Sequence, residues 1–511
     1  MTRRLKPENI LVFALFVFYF LFFIQKIDFV RADLGRMLKN GEIFFNSGRI
    51  LDVNFYSYTE PDVKVLNMHW AADALFYKVR TLAGFKGLTL FYALLHTVTF
   101  GFFFLLAKRR SNLPLAVFAS LLAVPLLASR TYIRPEVFSY LFLGIYLFAL
   151  DACLTGDEKP RVLWTLPFLQ IVWTNTHFFF ALGPLLVLFF TFQANAIGRV
   201  RSIRTLIILF FATSAACLVN PFFIEGAKAP LLLFKEYGYL PLECLPVLQL
   251  MKHAPHPVYV HFFETFVLFM LVMLWMERRK ALKPHFIYFF SAFVFGILTF
   301  RVTRAYPLFG YFLIPSLAVA AKVYMETSTK VNVDRFVRRT ILAAVVTFGV
   351  LLSNPLLTPV NANTGLGMSK GMSVSAEFFK NAGLKGPIFN NFGIGGYLEY
   401  YLYPQERVFV DNRPEAFSIS FLKNEYSSAL NSEAIWKDLV ERHDFQVIFF
   451  HLRLPTFPTS AKPFIQRRLA DPEWTTVYVD PYAVILVRKH GVNAAAAESY
   501  GTPPENIYVS K

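Results

Sequence analysis

A carboxylate that follows the first apolar segment is the clearest candidate for chemistry in this sequence. Asp33 stands after the apolar run 9–27, and the stretch from Leu34 to Phe45 repeats its apolar residues with a helical period. Polar residues between them predict an amphipathic helix on a membrane surface. A carboxylate at such a place could accept the proton of an acceptor hydroxyl group, as a general base does. Aspartate is also common at the start of a helix, so helix capping is the alternative role.

Two pairs of arginines stand in short turns between apolar segments. Arg130 and Arg134 precede Glu136 in one turn, and Arg301 and Arg304 occupy another. The planar guanidinium group can bind two oxygens of a phosphate at once, so these arginines are predicted to bind a phosphate-bearing lipid. The alternatives are anchoring to lipid headgroups and a salt bridge with Glu136.

Further polar candidates at the predicted outer face of the membrane, where the arginine turns are also expected, are His69, Asn175 and His177. No HxxxH or HExxH spacing joins the histidines, so a divalent metal is possible but unsupported, and no other cofactor is predicted. The three cysteines form no CxxC pair, which excludes a disulfide framework and a zinc-thiolate site.

The composition shows what must position these groups. The chain has 511 residues, of which 55% are hydrophobic and 17% charged, and its mean hydropathy is +0.45. Soluble domains carry about 25% charged residues. The composition therefore excludes a soluble globular protein, a disordered chain and a fibre, and it predicts an α-helical polytopic membrane protein.

About eleven apolar segments are long enough, or nearly so, to cross a bilayer, which takes about 20 residues. The predicted spans are 9–27, 88–107, 113–129, 136–154, 162–175, 178–196, 205–219, 259–276, 285–300, 306–323 and 340–356. The first run lacks an A-x-A-like site after it, so we expect an uncleaved span rather than a signal peptide.

Basic clusters set the predicted orientation. They precede the first and last spans and follow the second, fourth, sixth and eighth, so all fall on one side if the spans alternate. The positive-inside rule makes that side cytoplasmic, with the N-terminus inside and the C-terminus outside. Because the net charge of +17 resides in these clusters, it indicates membrane topology and not nucleic-acid binding.

The predicted domains are a transmembrane domain over 1–356, an extracytoplasmic α/β domain over 357–490 and a loose tail over 491–511. The first outer loop, 28–87, carries the amphipathic helix, and 220–258 has no clear assignment. In the outer domain, alternating apolar stretches predict strands and periodic stretches predict helices. The strands are expected at 388–391, 407–411, 445–451, 475–480 and 483–489, and the helices at 376–384, 397–402, 436–443 and 463–470.

Three sequence blocks carry a resemblance to a known family. They are GRILDVNFYSYT (48–59), MHWAADALFYKV (68–79) and FNNFGIGGYLEYYLYPQERVFVDNR (389–413). Together with the acid after the first span, these blocks resemble a bacterial branch of the membrane glycosyltransferase superfamily with the C-type fold. The D-x-R element of that pattern corresponds to Asp411 and Arg413. One departure is that Arg36 and Met37 stand where relatives often carry a Trp-His pair.

The resemblance implies a polyprenyl-phosphate-linked sugar as donor, a site outside the cytoplasm and the bacterial cytoplasmic membrane as location. It also implies that Asp33 is the general base and that the acceptor is a glycan, a lipid or a protein. A single base and a single displacement predict inverting transfer of a hexosyl or pentosyl group.

Three alternative functions remain open from the sequence. A flippase-type transporter should show internal repeats, and no clear repeat is found. A non-catalytic assembly protein could keep the same fold. A polymerase or ligase of lipid-linked sugars would also use outer arginines, although a globular α/β domain would be unusual for it.

Overall fold

A computed structural model of the chain describes residues 7–29, 33–156, 160–234, 236–238, 245–253, 256–328, 333–353, 363–451 and 461–502. The chain divides into two compact units, which we describe separately. The helical unit comprises Met1–Lys26, Ala83–Pro230 and Glu243–Gly367, and the mixed unit comprises Ile27–Leu82, Leu231–Leu242 and Met368–Lys511. The basic cluster at residues 3–6 and the tail beyond residue 502 lie outside the described residues.

Fourteen α-helices precede the C-terminal region among the described residues. They are α1 (Pro7–Phe22), α2 (Leu34–Ser47), α3 (Trp70–Arg110), α4 (Leu113–Leu127), α5 (Glu136–Thr155), α6 (Leu166–Thr174), α7 (Leu182–Ala196), α8 (Val200–Ala216), α9 (Phe223–Lys228), α10 (Val247–His253), α11 (Pro257–Arg278), α12 (Phe286–Arg301), α13 (Tyr306–Thr327) and α14 (Val333–Ser353). Local sequence explains several of their starts. At α4, for example, the Asn112 side chain accepts a hydrogen bond from the Leu115 amide at 3.1 Å, as a helix cap does.

Each predicted span overlaps a helix, and the membrane character of the chain is confirmed, but the count of eleven is not. Six helical stretches among the described residues are long and apolar enough to cross a bilayer. Three shorter apolar helices cover Asn9–Phe22, Leu113–Leu127 and Ser202–Ala216. The segment 220–258, which the sequence left unassigned, contains the short helices α9 and α10.

Helix α3 is two helices joined at a break. Its 41 residues would extend about 60 Å, twice the thickness of a hydrocarbon core. Gly84 interrupts it with φ 65° and ψ −173°, a conformation that glycine tolerates best. The part before the break belongs to the mixed unit and the part after it belongs to the helical unit.

The mixed unit contains one four-stranded sheet of order β1-β2-β4-β3. The strands are β1 (Ile388–Asn390), β2 (Val447–His451), β3 (Trp474–Val479) and β4 (Ala483–Arg488), and the accompanying helices are α15 (Val374–Asn381), α16 (Gly395–Leu402), α17 (Glu433–His443), α18 (Ala461–Leu469) and α19 (Ala494–Tyr500). β1 and β2 are parallel, with Phe389 opposite Ile448, and the other two pairs are antiparallel. Buried aromatic side chains, among them Phe389, Trp436 and Phe450, fill the core.

Four predictions for this region need correction. The segment 407–411 is not a strand of the sheet, because its backbone pairs with 56–58 through a bridge between Ser57 and Val408. Residues 494–500 of the predicted loose tail form α19, and Thr502 donates to the Thr476 carbonyl at 2.8 Å. The first outer loop was predicted within the transmembrane domain, but it groups with the C-terminal region in one compact unit. Helix α2 is present, but its face with Leu34, Met37 and Leu38 is buried in protein.

Glycines set how closely α2 approaches its neighbours. A Cβ atom on Gly35 would lie 2.4 Å from the carbonyl oxygen of Gly396 in α16, and one on Gly41 would lie 2.5 Å from the carbonyl oxygen of Asp73 in α3. A Cβ atom on Gly395 would lie 2.4 Å from the Cα atom of Asp411. These contacts place the start of α2, the start of α16 and the segment 408–413 side by side.

Candidate functional site

Asp33 occupies the capping position of α2 but does not cap it. Its side chain makes no capping hydrogen bond to the helix. The Oδ1 atom accepts a hydrogen bond of 2.5 Å from Nδ2 of Asn412 instead. The carboxylate is therefore directed to a residue that lies 379 positions away in the sequence, and the capping alternative does not describe it.

The amide of Asn412 is bonded at both ends. While its nitrogen donates to Asp33, its Oδ1 atom accepts a hydrogen bond of 3.3 Å from Nε of Arg36. Arg36 lies one helical turn after Asp33, so both groups project from the same face of α2. The carboxylate of Asp33, the amide of Asn412 and the guanidinium of Arg36 thus form a hydrogen-bonded triad that joins α2 to the segment after α16.

Asp411 and Arg413 flank Asn412 and form a buried ion pair. Nε of Arg413 donates to Oδ1 of Asp411 at 2.9 Å, Nη2 donates to Oδ2, and Nη2 also reaches Oδ1 of Asn54 at 2.6 Å. Both side chains are at most 1% exposed. Burial opposes ionisation of Asp411, but the charge and hydrogen bonds of Arg413 outweigh it and lower the pKa of that carboxyl. The D-x-R element thus fixes the backbone on both sides of Asn412.

Glu399 is a second carboxyl in this region that the sequence did not single out. It lies on α16, is 1% exposed, and its carboxyl group adjoins the carboxyl group of Asp411. Burial, and then the negative charge of Asp411, raises its pKa well above the ordinary value. The physical expectation is a neutral acid beside the Asp411–Arg413 pair.

A second buried network fixes α2 against the start of α3. The Oδ2 atom of Asp73 accepts from Nδ2 of Asn40 at 2.9 Å and from Nδ2 of Asn67 at 3.0 Å. The hydroxyl of Tyr56 donates to Oδ1 of Asn40 at 2.7 Å. His69 lies at this junction, where its backbone amide donates to Oδ1 of Asn67 at 3.2 Å.

The sequence blocks that carry the family resemblance hold the triad in place. Nδ2 of Asn390 donates to the Val410 carbonyl at 2.6 Å, and its Oδ1 atom accepts from the Phe409 amide at 2.9 Å. From the other block, the Ser57 hydroxyl donates to the Phe409 carbonyl at 3.1 Å. These side chains hydrogen-bond the backbone of Phe409 and Val410, next to the backbone bridge at Val408, and so they position Asn412.

The helical unit holds the predicted arginines, and they are not equivalent. Arg130 forms an ion pair with Glu136, and Nη2 of Arg304 lies 3.8 Å from Oε2 of the same carboxylate. Arg134, which is 9% exposed, adds a third positive charge close to Glu136. Arg301 is exposed at the end of α12 and makes no contact of this kind with the described residues. Three arginines around one glutamate leave a net positive charge, which suits a phosphate.

Asn175 and His177 make contacts that support the fold of the helical unit. Nδ2 of Asn175 donates to the carbonyls of Ile171 and Val219, each at 2.8 Å. Nδ1 of His177 lies 2.8 Å from the hydroxyl oxygen of Ser139. Over the residues that the structure covers, no group of three or more His, Cys, Asp and Glu side chains could hold a metal ion.

The structure therefore sorts the predicted residues into two sets. Asp33, His69, Asp411 and Arg413 belong to the mixed unit, and the four arginines, Glu136, Asn175 and His177 belong to the helical unit. Sequence reasoning missed Asn412, Glu399 and Asp73. A signal existed for the first of these, because Asn412 is the middle residue of the D-x-R element.

Solved structures of membrane glycosyltransferases share this fold. The archaeal oligosaccharyltransferase AglB from Archaeoglobus fulgidus superimposes with a TM-score of 0.57 at 10% identity, over 91% of this chain and 73% of AglB. ArnT from Cupriavidus metallidurans gives 0.52 at 14% identity, over 97% of this chain and 99% of ArnT. The mycobacterial arabinofuranosyltransferase AftD gives 0.51 at 15% identity, over 96% of this chain and 40% of AftD.

No protein-family model matches the sequence, and no curated protein matches it either. At identities of 10–15% the structural likeness concerns the fold alone. The chain therefore shares the C-type fold of these membrane glycosyltransferases, the fold that its sequence blocks led us to expect.

Proposed function

We propose that this protein is an inverting glycosyltransferase that uses a polyprenyl-phosphate-linked sugar. The observation that carries the proposal is the Asp33 carboxylate, which is held by the Asn412 amide and does not cap its helix. A carboxylate fixed in this way is ready to accept a proton, which is what a general base for a hydroxyl acceptor must do.

The reaction follows from the residue chemistry. The acceptor oxygen attacks the anomeric carbon while its proton passes to Asp33, and the bond from that carbon to the phosphate oxygen breaks. The electron pair of that bond leaves with the polyprenyl phosphate. A single displacement inverts the anomeric configuration, and no second carboxylate has to act as a nucleophile.

The donor class is supported by two observations. The AglB structure is a complex with an inhibitory peptide and a dolichol-phosphate, and the ArnT structure contains undecaprenyl phosphate. In this chain, Arg130, Arg134 and Arg304 gather around Glu136 and keep a net positive charge. We assign these arginines to binding of the donor phosphate, whose negative charge they complement.

The test is the turnover of purified variants with a panel of polyprenyl-phosphate hexoses and pentoses. Asp33→Asn should lower turnover by about 10²–10⁴-fold, the usual contribution of a general base. Asp52→Asn is the matched control, because Asp52 is an acid of the same unit whose side chain is 59% exposed. Turnover of the Asp33→Asn protein close to that of the parent would show that Asp33 is not the general base.

A further inference from the structure

Asn412 contacts both charged groups of the candidate site. One amide can satisfy a carboxylate and a guanidinium at the same time only if its nitrogen faces the acid and its oxygen faces the arginine. The two hydrogen bonds, Nδ2 to Asp33 and Arg36 Nε to Oδ1, meet that requirement. The orientation of the amide is therefore determined by its two partners.

The surroundings make the Asn412 side chain rigid. The buried Asp411–Arg413 pair holds the backbone on either side of it. Gly396 packs against the amide, since a Cβ atom there would lie in van der Waals contact, 3.4 Å from Nδ2 of Asn412 and 3.5 Å from the Cβ atom of Arg36. A longer or bulkier residue at 396 would press on both partners.

We propose that Asn412 is the positioning residue of the candidate site, which orients the Asp33 carboxylate and joins Arg36 to it. This inference rests on the proposed function, because it assigns a task to Asn412 only if Asp33 is the base. An amide donor fixes the direction of the carboxylate oxygen that it binds.

The pH dependence of activity must be read with the neighbouring charges in mind. The titratable and charged groups on the elements packed around Asp33 include Arg36 on α2, Asp73 on α3, Glu399 on α16, and Asp411, Arg413 and Glu415 in the segment after α16. All of them are retained when only Asn412 is changed, so a shift in the profile reports the loss of the amide.

The experiment compares Asn412→Ala and Asn412→Asp with the parent, using the polyprenyl-phosphate sugar that the parent turns over. We expect kcat to fall about 10²-fold in both, the effect of a misplaced catalytic group, with the donor KM changed less than about threefold. The pH–rate profile should change in both variants, and further in Asn412→Asp, where two carboxylates adjoin. Asn424→Asp is the matched control, because Asn424 is an exposed asparagine of the same unit.

Two outcomes separate this inference from the proposed function. If Asp33→Asn is inactive while both Asn412 variants keep the parent's kcat and pH profile, Asn412 has no positioning role and the base assignment stands. If Asp33→Asn is as active as the parent, the base assignment itself is wrong and the positioning role falls with it. Because Asp is close to Asn in shape, Asn412→Asp supplies a folded variant even if Asn412→Ala does not fold.

Discussion

At the scale of single residues, charge and geometry distinguish arginines that the sequence treats alike. Arg130 and Arg304 each pair with Glu136, and Arg134 lies near that carboxylate, whereas Arg301 is exposed at the end of its helix. A phosphate that entered this cluster would find planar donors already oriented by a carboxylate. Arg301 lacks such a partner among the described residues, and we expect it to act as a headgroup anchor, a role that lysine could also fill.

Lysine substitutions test this distinction, because they keep the charge and remove the planar fork. We expect Arg130→Lys, Arg134→Lys and Arg304→Lys to weaken binding of polyprenyl phosphate by about tenfold or more, since hydrogen bonds to charged groups contribute about 1.5–3 kcal/mol. Arg301→Lys is the control and should bind like the parent. The measurement is titration of each purified variant with polyprenyl phosphate, and equal affinity in all four would show that the arginines do not bind phosphate.

The residue scale also shows where sequence reasoning stops. Asp33 could be found from the sequence because its position after the first apolar segment is a local feature. The D-x-R element pointed to the position of Asn412, but its pairing with Asp33 could not be predicted, because only the folded chain brings together residues 379 positions apart. Glu399 was hidden for a different reason: it stands in a helical stretch where an exposed acid would look the same.

At the scale of elements, the site depends on close packing of two short helices. Gly35 and Gly396 meet where α2 crosses α16, and the same helices carry Asp33, Arg36 and Glu399. A side chain at Gly35 would push the helices apart and move the triad with them.

The prediction at this crossing concerns Gly35→Ala. Its Cβ atom would come within 2.4 Å of a backbone oxygen, so we expect a loss of about 1–3 kcal/mol of folding free energy, together with loss of turnover. Gly349→Ala in α14 is the control, because a Cβ atom there meets nothing within 4 Å. Thermal unfolding of both purified proteins measures the effect, and a Gly35→Ala protein as stable as the Gly349→Ala protein would contradict the packing argument.

Glu399 gives α16 a pH-dependent contribution to stability. Because its pKa is raised in the fold, the neutral acid contributes stability that is fully present below the unfolded pKa of about 4.3 and is lost as the pH rises through the folded pKa. Glu399→Gln, which stays neutral, should therefore gain stability over the parent as the pH is raised from 5 to 8. The check is the difference in Tm between the two proteins, about 2–4 °C for each kcal/mol, and a difference independent of pH would contradict the prediction.

Helices and strands were predicted correctly where the apolar pattern extends over many residues. The prediction failed where tertiary contacts determine the local structure. Four of the five strands expected in the C-terminal region are present. The fifth, 407–411, does not join the sheet, and the side chains of Asn390 and Ser57 hydrogen-bond its backbone. The helix α19 was missed although Ala494 to Ala497 have the highest helix propensity. The nearby glycine and prolines had suggested a loose tail.

At the scale of the whole molecule, the fold is shared with enzymes of 10–15% identity, so patterning and not sequence similarity preserves it. The composition and the sequence blocks were sufficient to predict a C-type membrane protein. The number of spans was not predictable, because several helices are shorter than a bilayer requires.

The orientation in the membrane is a prediction of the basic clusters. We expect Asn424→Cys in the mixed unit to react with a membrane-impermeant maleimide in intact spheroplasts, and Lys280→Cys to react only after permeabilisation, because basic clusters face the cytoplasm. Both positions are exposed in the structure, so accessibility reports topology. Labelling of Lys280→Cys but not of Asn424→Cys in intact spheroplasts would show that the orientation is opposite to the predicted one.

The stereochemistry of transfer tests the central claim most directly. The purified protein would be given an anomerically pure polyprenyl-phosphate sugar that it turns over, and the linkage of the first-formed product would be assigned by NMR. With Asp33 as the only base and one displacement, the product must have the anomeric configuration opposite to that of the donor, and Asp33→Asn must form it about 10²–10⁴-fold more slowly. A product that retains the donor configuration, or one formed at the same rate without Asp33, would contradict the mechanism.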